Sequence, residues 1–226
     1  MIKDFAWAQY SLFLAVRMHD DLFDRQADWK NLIYTGDSLI IEAEKIFMKY
    51  FAASDLFWKN YYLLVETTIN SILKVDRLQQ SDRTSLTVLY DNYAGVCSIF
   101  KIGALAVCVK MNLMRRYKKI SKAADNLAVI GHLIDDFYDI DEDLMNKRYN
   151  SAYHLVRKNR HNVKKGVTKE NIGLYIDELN RQIKSCALAL RGLNITELDE
   201  YLELFKKYSY DIDKRGCSML DLGTIM

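Results

Sequence analysis

No proline occurs anywhere in this chain of 226 residues. At an average usage of roughly 5%, a chain of that length carries about eleven. Proline breaks helix interiors because it lacks an amide hydrogen and its ring clashes with the preceding turn. Its absence suits a chain built of long helices. Only nine glycines occur, which argues against a turn-rich β architecture. Apolar residues recur at helical spacing, and strict alternation of apolar and polar residues never persists. Helices are therefore predicted from about Asp4 to Trp29, over Leu39 to near Ala53, from Asp55 to about Gln79, from roughly Thr84 to Met114, and from about Ile120 to Met145. Shorter ones follow over Ser151–Val163, Lys169–Leu190 and Thr196–Tyr210, the last opening on a capping-box pattern, Thr196-x-x-Asp199. Breaks are expected at Tyr34-Thr35-Gly36-Asp37 and Ser81-Asp82, and the tail after Asp211 reads as irregular. No repeat or linker is evident. The expectation is one all-α domain spanning residues 1–226.

Composition narrows the function. Half the residues are apolar and the net charge is only +2, so a core is affordable and a general attraction to nucleic acid is unsupported. Cys97, Cys108, Cys186 and Cys217 form no Cys-x-x-Cys pair and no zinc spacing. They read as reduced thiols of a cytoplasmic protein. The apolar stretch from Phe5 to Val16 runs directly into Arg17, Asp20 and Asp21, unlike a signal peptide. No apolar run is expected to reach the ~20 residues that a transmembrane helix needs.

The chemistry-bearing pattern is Asp-Asp-x-x-Asp, which occurs twice: Asp20-Asp21-x-x-Asp24 and Asp135-Asp136-x-x-Asp139. Residues four apart share a helix face, about 6 Å from one another. The first pair continues a stripe through Leu12, Phe13 and Val16, and the second a stripe through Leu127 and Gly131. Both clusters are thus expected on apolar, core-directed faces. Ala123 to Asn146 contains no lysine or arginine, yet holds Asp125, Asp135, Asp136, Asp139, Asp141, Glu142 and Asp143. Like charges at i, i+4 repel, so this segment calls for an added cation. A solvated acidic face is the plain alternative. Mg²⁺ takes oxygen ligands, commonly one or two carboxylates completed by substrate phosphates and water, and such ions stabilise charge on a departing diphosphate. A di-iron bundle site needs Glu-x-x-His motifs, which are absent here.

These residues resemble the class I isoprenoid synthases. His19-Asp20-Asp21-Leu22-Phe23-Asp24 is similar to the first aspartate-rich motif of trans-prenyl diphosphate synthases, and Ile134-Asp135-Asp136-Phe137-Tyr138-Asp139 to the second. Tyr34-Thr35-Gly36-Asp37-Ser38-Leu39 resembles the small-Gly-Asp segment. Lys101-Ile102-Gly103-Ala104-Leu105 resembles the Lys-Thr-Gly-x-Leu segment, with isoleucine for threonine. Asp139 to Asp143, with Arg148-Tyr149, also looks like the motif of squalene and phytoene synthases. The resemblance implies a single helical bundle with a central cavity, across which the two clusters face each other. It implies Mg²⁺ held by Asp20, Asp24, Asp135 and Asp139, supported by Asp21 and Asp136. It implies a prenyl diphosphate held by Arg25, Lys101, and Lys147 or Arg148, and a homodimer.

The departures choose among members. The Gly-Gly-Lys-Arg segment for isopentenyl diphosphate is missing before Asp20, the arginine pair after the first motif is reduced to Arg25, and His132 replaces a glutamine. The expected function is a Mg²⁺-dependent terpene synthase that ionises one allylic diphosphate. The alternatives are a prenyltransferase using isopentenyl diphosphate or another acceptor, and a non-catalytic partner subunit. Substrate length and product are not legible. His19 and His132 are candidates to orient a carboxylate or act as a base, although a structural histidine is the more ordinary reading. Aromatics such as Phe13, Tyr93, Phe100 and Phe137 are candidates to line a cavity. The run Arg157, Lys158, Arg160, His161, Lys164, Lys165 reads as a solvated loop, a lid, or a peripheral contact with anionic lipid.

Overall fold

The computed structural model describes residues 1–23, 29–79, 85–140, 143, 150–152, 169–193 and 195–222. It is all-α, and no strand occurs among the described residues. The helices are α1 (Ile2–Phe23), α2 (Asn31–Met48), α3 (Leu56–Gln79), α4 (Leu86–Val96), a 3-10 helix (Cys97–Lys101), α5 (Ile102–Lys110), α6 (Met114–Tyr138), α7 (Lys169–Leu190) and α8 (Thr196–Leu222).

Four boundaries differ from the sequence expectation. The break predicted at Tyr34–Asp37 lies inside α2. Gly36 is not a turn residue there. A Cβ at Gly36 would stand 2.5 Å from His19 Nε2, so its missing side chain makes room for the imidazole. The single helix predicted from Thr84 to Met114 is three pieces, interrupted by the 3-10 turn. It ends where Asn112 adopts φ 57°, a left-handed conformation that asparagine tolerates better than most residues. Consequently α6 starts at Met114, earlier than Ile120. Finally, α8 continues through the stretch expected to be irregular. The helix predicted over Ser151–Val163 lies outside the described residues except for Ser151 and Ala152.

The chain divides into two compact units, one made of Met1–Asn70 with Val96–Lys118, the other of Ser71–Gly95 with Lys119–Met226. In the first, α1 packs on α2, on the 3-10 helix and on α5. Phe5, Ala8, Leu12 and Ala15 form its buried stripe. They meet an aromatic core in which Phe51 stacks on Phe57 at 4.1 Å and Phe47 tilts against Phe57 at 4.9 Å. Each such buried ring contributes about 1.5–3 kcal/mol. The second unit has its own core, with Ile130 and Leu133 of α6, Leu179 and Ile183 of α7, and Leu202 and Ile212 of α8.

Among the described residues one stretch, Leu86–Lys110, is by length and composition apolar enough to cross a membrane, with mean hydropathy 1.6 over its most apolar 18-residue window. Half of it is buried within the structure, and the core helix of a soluble protein passes the same test. Cys108 and Cys186 are buried free thiols. Burial pushes Cys108 up and Cys186 up to about 11, which leaves little reactive thiolate.

Candidate functional site

The first motif sits at the C-terminal end of α1. The buried stripe of that helix runs Phe5, Ala8, Leu12, Ala15. Its continuation reaches His19 and Leu22, not Asp20. Asp20 instead extends the exposed face carrying Trp7, Tyr10 and Phe13. The core-directed placement expected for this cluster therefore does not hold. Arg17, one turn earlier, donates from Nη1 to Asp20 Oδ2 at 3.0 Å and from Nη2 to Asp21 Oδ1 at 2.7 Å. These side chains start about 100° apart around the helix, and a single guanidinium draws them to one cation. Beside them, His19 Nε2 stands 3.4 Å from Asp37 Oδ1. His19 and Asp37, with Leu22 and Ile33, line an open groove of about 410 Å³.

Along the exposed face of α1, the aromatic rings form a ladder. Trp7 and Tyr10 are 5.8 Å apart, Tyr10 and Phe13 6.4 Å, and Phe13 meets Phe100 of the 3-10 helix at 5.7 Å. All four rings are exposed.

Lys101 ends the 3-10 helix and is only 7% exposed, so it is not the surface lysine that a long helix would give it. Its Nζ donates to Ser98 Oγ at 3.2 Å. A 3-10 interruption strands backbone groups that an α-helix would pair. Here side chains from two other helices take them. Gln9 Oε1 accepts from the Gly103 amide at 2.6 Å, and Gln9 Nε2 donates to the Ile99 carbonyl at 3.5 Å. Thr68 Oγ1 accepts from the Ile99 amide at 2.9 Å.

The second motif straddles the end of α6. Asp135 and Asp139 are exposed, as is Gly131 on the same stripe. This middle part of the stripe is turned to solvent, contrary to expectation, while Leu127 one turn earlier packs against the core. Asp136, rotated by one residue, points the other way. Its Oδ2 accepts from Tyr93 Oη at 2.8 Å, from the Ser151 amide at 2.9 Å and from Ser151 Oγ. Asn150 Nδ2 donates both to the Asp136 carbonyl at 2.5 Å and to Asp143 Oδ2 at 2.9 Å. Burial pushes the Asp136 carboxyl up to about 6 against the pull of the Ser151 and Tyr93 hydrogen bonds, and the Asp143 charge adds to the push. His132 stacks on Tyr93 with ring centroids 4.3 Å apart, and burial pulls it down to about 4. Tyr175 is buried against Phe137, and its hydroxyl has no hydrogen-bond partner among the described residues.

Of the predicted site residues, Asp20, Asp21 and Lys101 fall in the first unit and Asp135, Asp136 and Asp139 in the second. Asp24, Arg25, Lys147 and Arg148 lie outside the described residues, as does the basic run from Arg157. Arg17 pairs with Asp20 and Asp21 at i, i+3 and i, i+4, a local pattern that sequence could have revealed, whereas Gln9, Thr68, Asn150 and Ser151 were not singled out by sequence. Their roles depend on partners up to 94 positions away, which no local pattern reveals.

Among the described residues, no group of three or more His, Cys, Asp or Glu side chains is placed to hold a metal ion. Magnesium does not require one, because phosphate and water complete its shell around one or two carboxylates. The donor chemistry fits: Asp20 and Asp21 already converge on a cation, the Arg17 guanidinium, and Asp135 and Asp139 present carboxylates one turn apart on an exposed face. No family model, curated protein or solved structure matches this chain.

Proposed function

We propose that the chain is a Mg²⁺-dependent class I terpene synthase, acting on an allylic prenyl diphosphate. The observation that carries this reading is the exposed face of α1. Trp7, Tyr10 and Phe13 form an aromatic ladder about 9 Å long, and Asp20 lies on the same helix face about 10 Å beyond Phe13. An apolar tail with an anionic, metal-bound head is the ligand such a face suits. Magnesium, when bound, supplies charge stabilisation for the departing diphosphate. Asp20 and Asp21 in the first unit, and separately Asp135 and Asp139 in the second, are the carboxylates that would hold such ions. Lys101 would take a diphosphate oxygen, its position set by the braced 3-10 turn. The aromatic faces of Tyr10, Phe13 and Phe100 favour positive charge beside them.

A prenyltransferase is the second reading, and the buried Lys101 favours it. A lysine held in a braced helix break in a segment similar to Lys-Thr-Gly-x-Leu suits an enzyme of prenyl synthase descent.

The test is incubation of the full chain with Mg²⁺ and geranyl, farnesyl or geranylgeranyl diphosphate, with and without isopentenyl diphosphate. A hydrocarbon or alcohol formed from one allylic substrate alone supports the synthase. A longer diphosphate supports the transferase. Absence of diphosphate release from all three by folded protein sinks both readings. Asp20→Ala and Asp135→Ala are each expected to lower kcat about 100-fold or more, with the circular dichroism spectrum unchanged.

A further inference from the structure

The two adjacent aspartates of the second motif do different work. Asp135 is exposed, whereas one oxygen of Asp136 receives three hydrogen bonds, from Tyr93 Oη and from the amide and hydroxyl of Ser151. Ser151 and Asn150 are themselves buried. Asn150 ties the Asp136 carbonyl to Asp143, two turns along the same acidic stripe as Asp135 and Asp139. A cation seated on Asp136 Oδ2 would displace these donors and leave buried N–H and O–H groups unpaired, at about 1–3 kcal/mol each.

The geometry points to Asp136 as a positioning residue and not a metal ligand: through Tyr93, Ser151 and Asn150 it anchors the end of α6 so that Asp135 and Asp139 are presented to metal. This rests on the metal reading of the second motif. Such anchoring partners are the usual reason that ligating carboxylates hold their orientation.

The prediction separates a hydrogen-bond acceptor from a ligand. An asparagine at 136 keeps an oxygen for Tyr93 and Ser151 but loses the charge that a ligand needs. The experiment is titration of the full chain with Mn²⁺, following free Mn²⁺ by electron paramagnetic resonance, with thermal unfolding in parallel. Asp136→Ala is expected to weaken Mn²⁺ binding about ten-fold and to lower Tm. Asp136→Asn is expected to restore binding to within about three-fold of the original, the remainder being lost long-range attraction. Asp135→Asn is expected to weaken binding about ten-fold or more with Tm unchanged. If Asp136→Asn is as damaging to Mn²⁺ binding as Asp135→Asn, the proposal fails. Should Asp136→Ala not fold, Tyr93→Phe removes a single donor. It is expected to weaken binding in the same direction, and unchanged or tighter binding overturns the anchoring role. Equal affinity in the original protein and in Asp135→Asn overturns the metal reading itself, and the proposal with it.

Discussion

Gly103 donates its amide hydrogen to Gln9 Oε1 at 2.6 Å, joining residues 94 positions apart. A Cβ at position 103 would lie 2.9 Å from the Gln9 Cβ, so the glycine is what lets α1 and α5 approach here. Replacing Gln9 by leucine removes the acceptor and strands the Gly103 amide. Urea unfolding is expected to show a loss of about 1–3 kcal/mol for Gln9→Leu. Gln9→Glu, which keeps the acceptor, is expected to lose less. Equal losses would mean that packing, not the hydrogen bond, is what the site supplies.

Arg17 offsets part of the charge of the first motif through two exposed pairs on one helix. Pairs of this kind are worth about 0.3–0.5 kcal/mol each. A metal ion at Asp20 and Asp21 has to compete with that guanidinium. Arg17→Gln is therefore expected to tighten Mn²⁺ binding about three-fold in the absence of substrate. The gain should vanish when Asp20 and Asp21 are both asparagine. Weaker binding in Arg17→Gln would show that the arginine orients the carboxylates and does not compete.

The Tyr175 hydroxyl is buried with no hydrogen-bond partner among the described residues. Burial pushes its ionisation well above the ordinary phenol range, and the Asp136, Tyr90 and Asp135 charges add to the shift. An unpaired buried hydroxyl costs more than the hydrogen it replaces. Tyr175→Phe keeps the ring against Phe137 and is expected to raise stability by about 1 kcal/mol. A destabilised variant would reveal a partner for the hydroxyl.

His132 and Asp136 give opposite pH dependences in metal-free protein. His132 is pulled down to about 4 from 6.5, so the unfolded chain binds the extra proton first. Its contribution is full above pH 6.5 and is lost as pH falls toward 4. Asp136 is pushed up to about 6 from 3.8, so the folded chain binds the extra proton first. Its contribution is full below 3.8 and is lost as pH rises through 6. Each shift corresponds to something on the order of 3 kcal/mol. The two offset each other, so stability changes little across this window on their account. His132→Gln is expected to expose a decline from pH 4 to 6, and Asp136→Asn a rise. Urea unfolding at successive pH values in chelator separates them, and parallel curves for the two variants would refute the assignment.

The all-α class was legible because its causes are local. A chain without proline, with apolar residues at helical spacing, has little alternative to long helices. The ends of α3 and α7 were read almost to the residue for the same reason. Where the reading failed, the deciding partner was distant. Gly36 looks like a turn until His19 packs against it. Gly103 looks like a tolerated helix glycine until Gln9 arrives to pair with it.

The two Asp-Asp-x-x-Asp motifs, their spacing and their helical setting belong to the sequence by itself, since a repeat of four on a helix needs no tertiary contact to place its members on one face. What only the tertiary structure decided is which aspartate of the second motif meets solvent and which is held. Arg17 claims Asp20 and Asp21 from within their own helix, whereas Asp136 is turned from its neighbour by one residue's rotation and taken by Tyr93 and Ser151. Burial and hydrogen bonding are set by what packs against a helix face, and two adjacent, identical side chains acquire different chemistry from that alone.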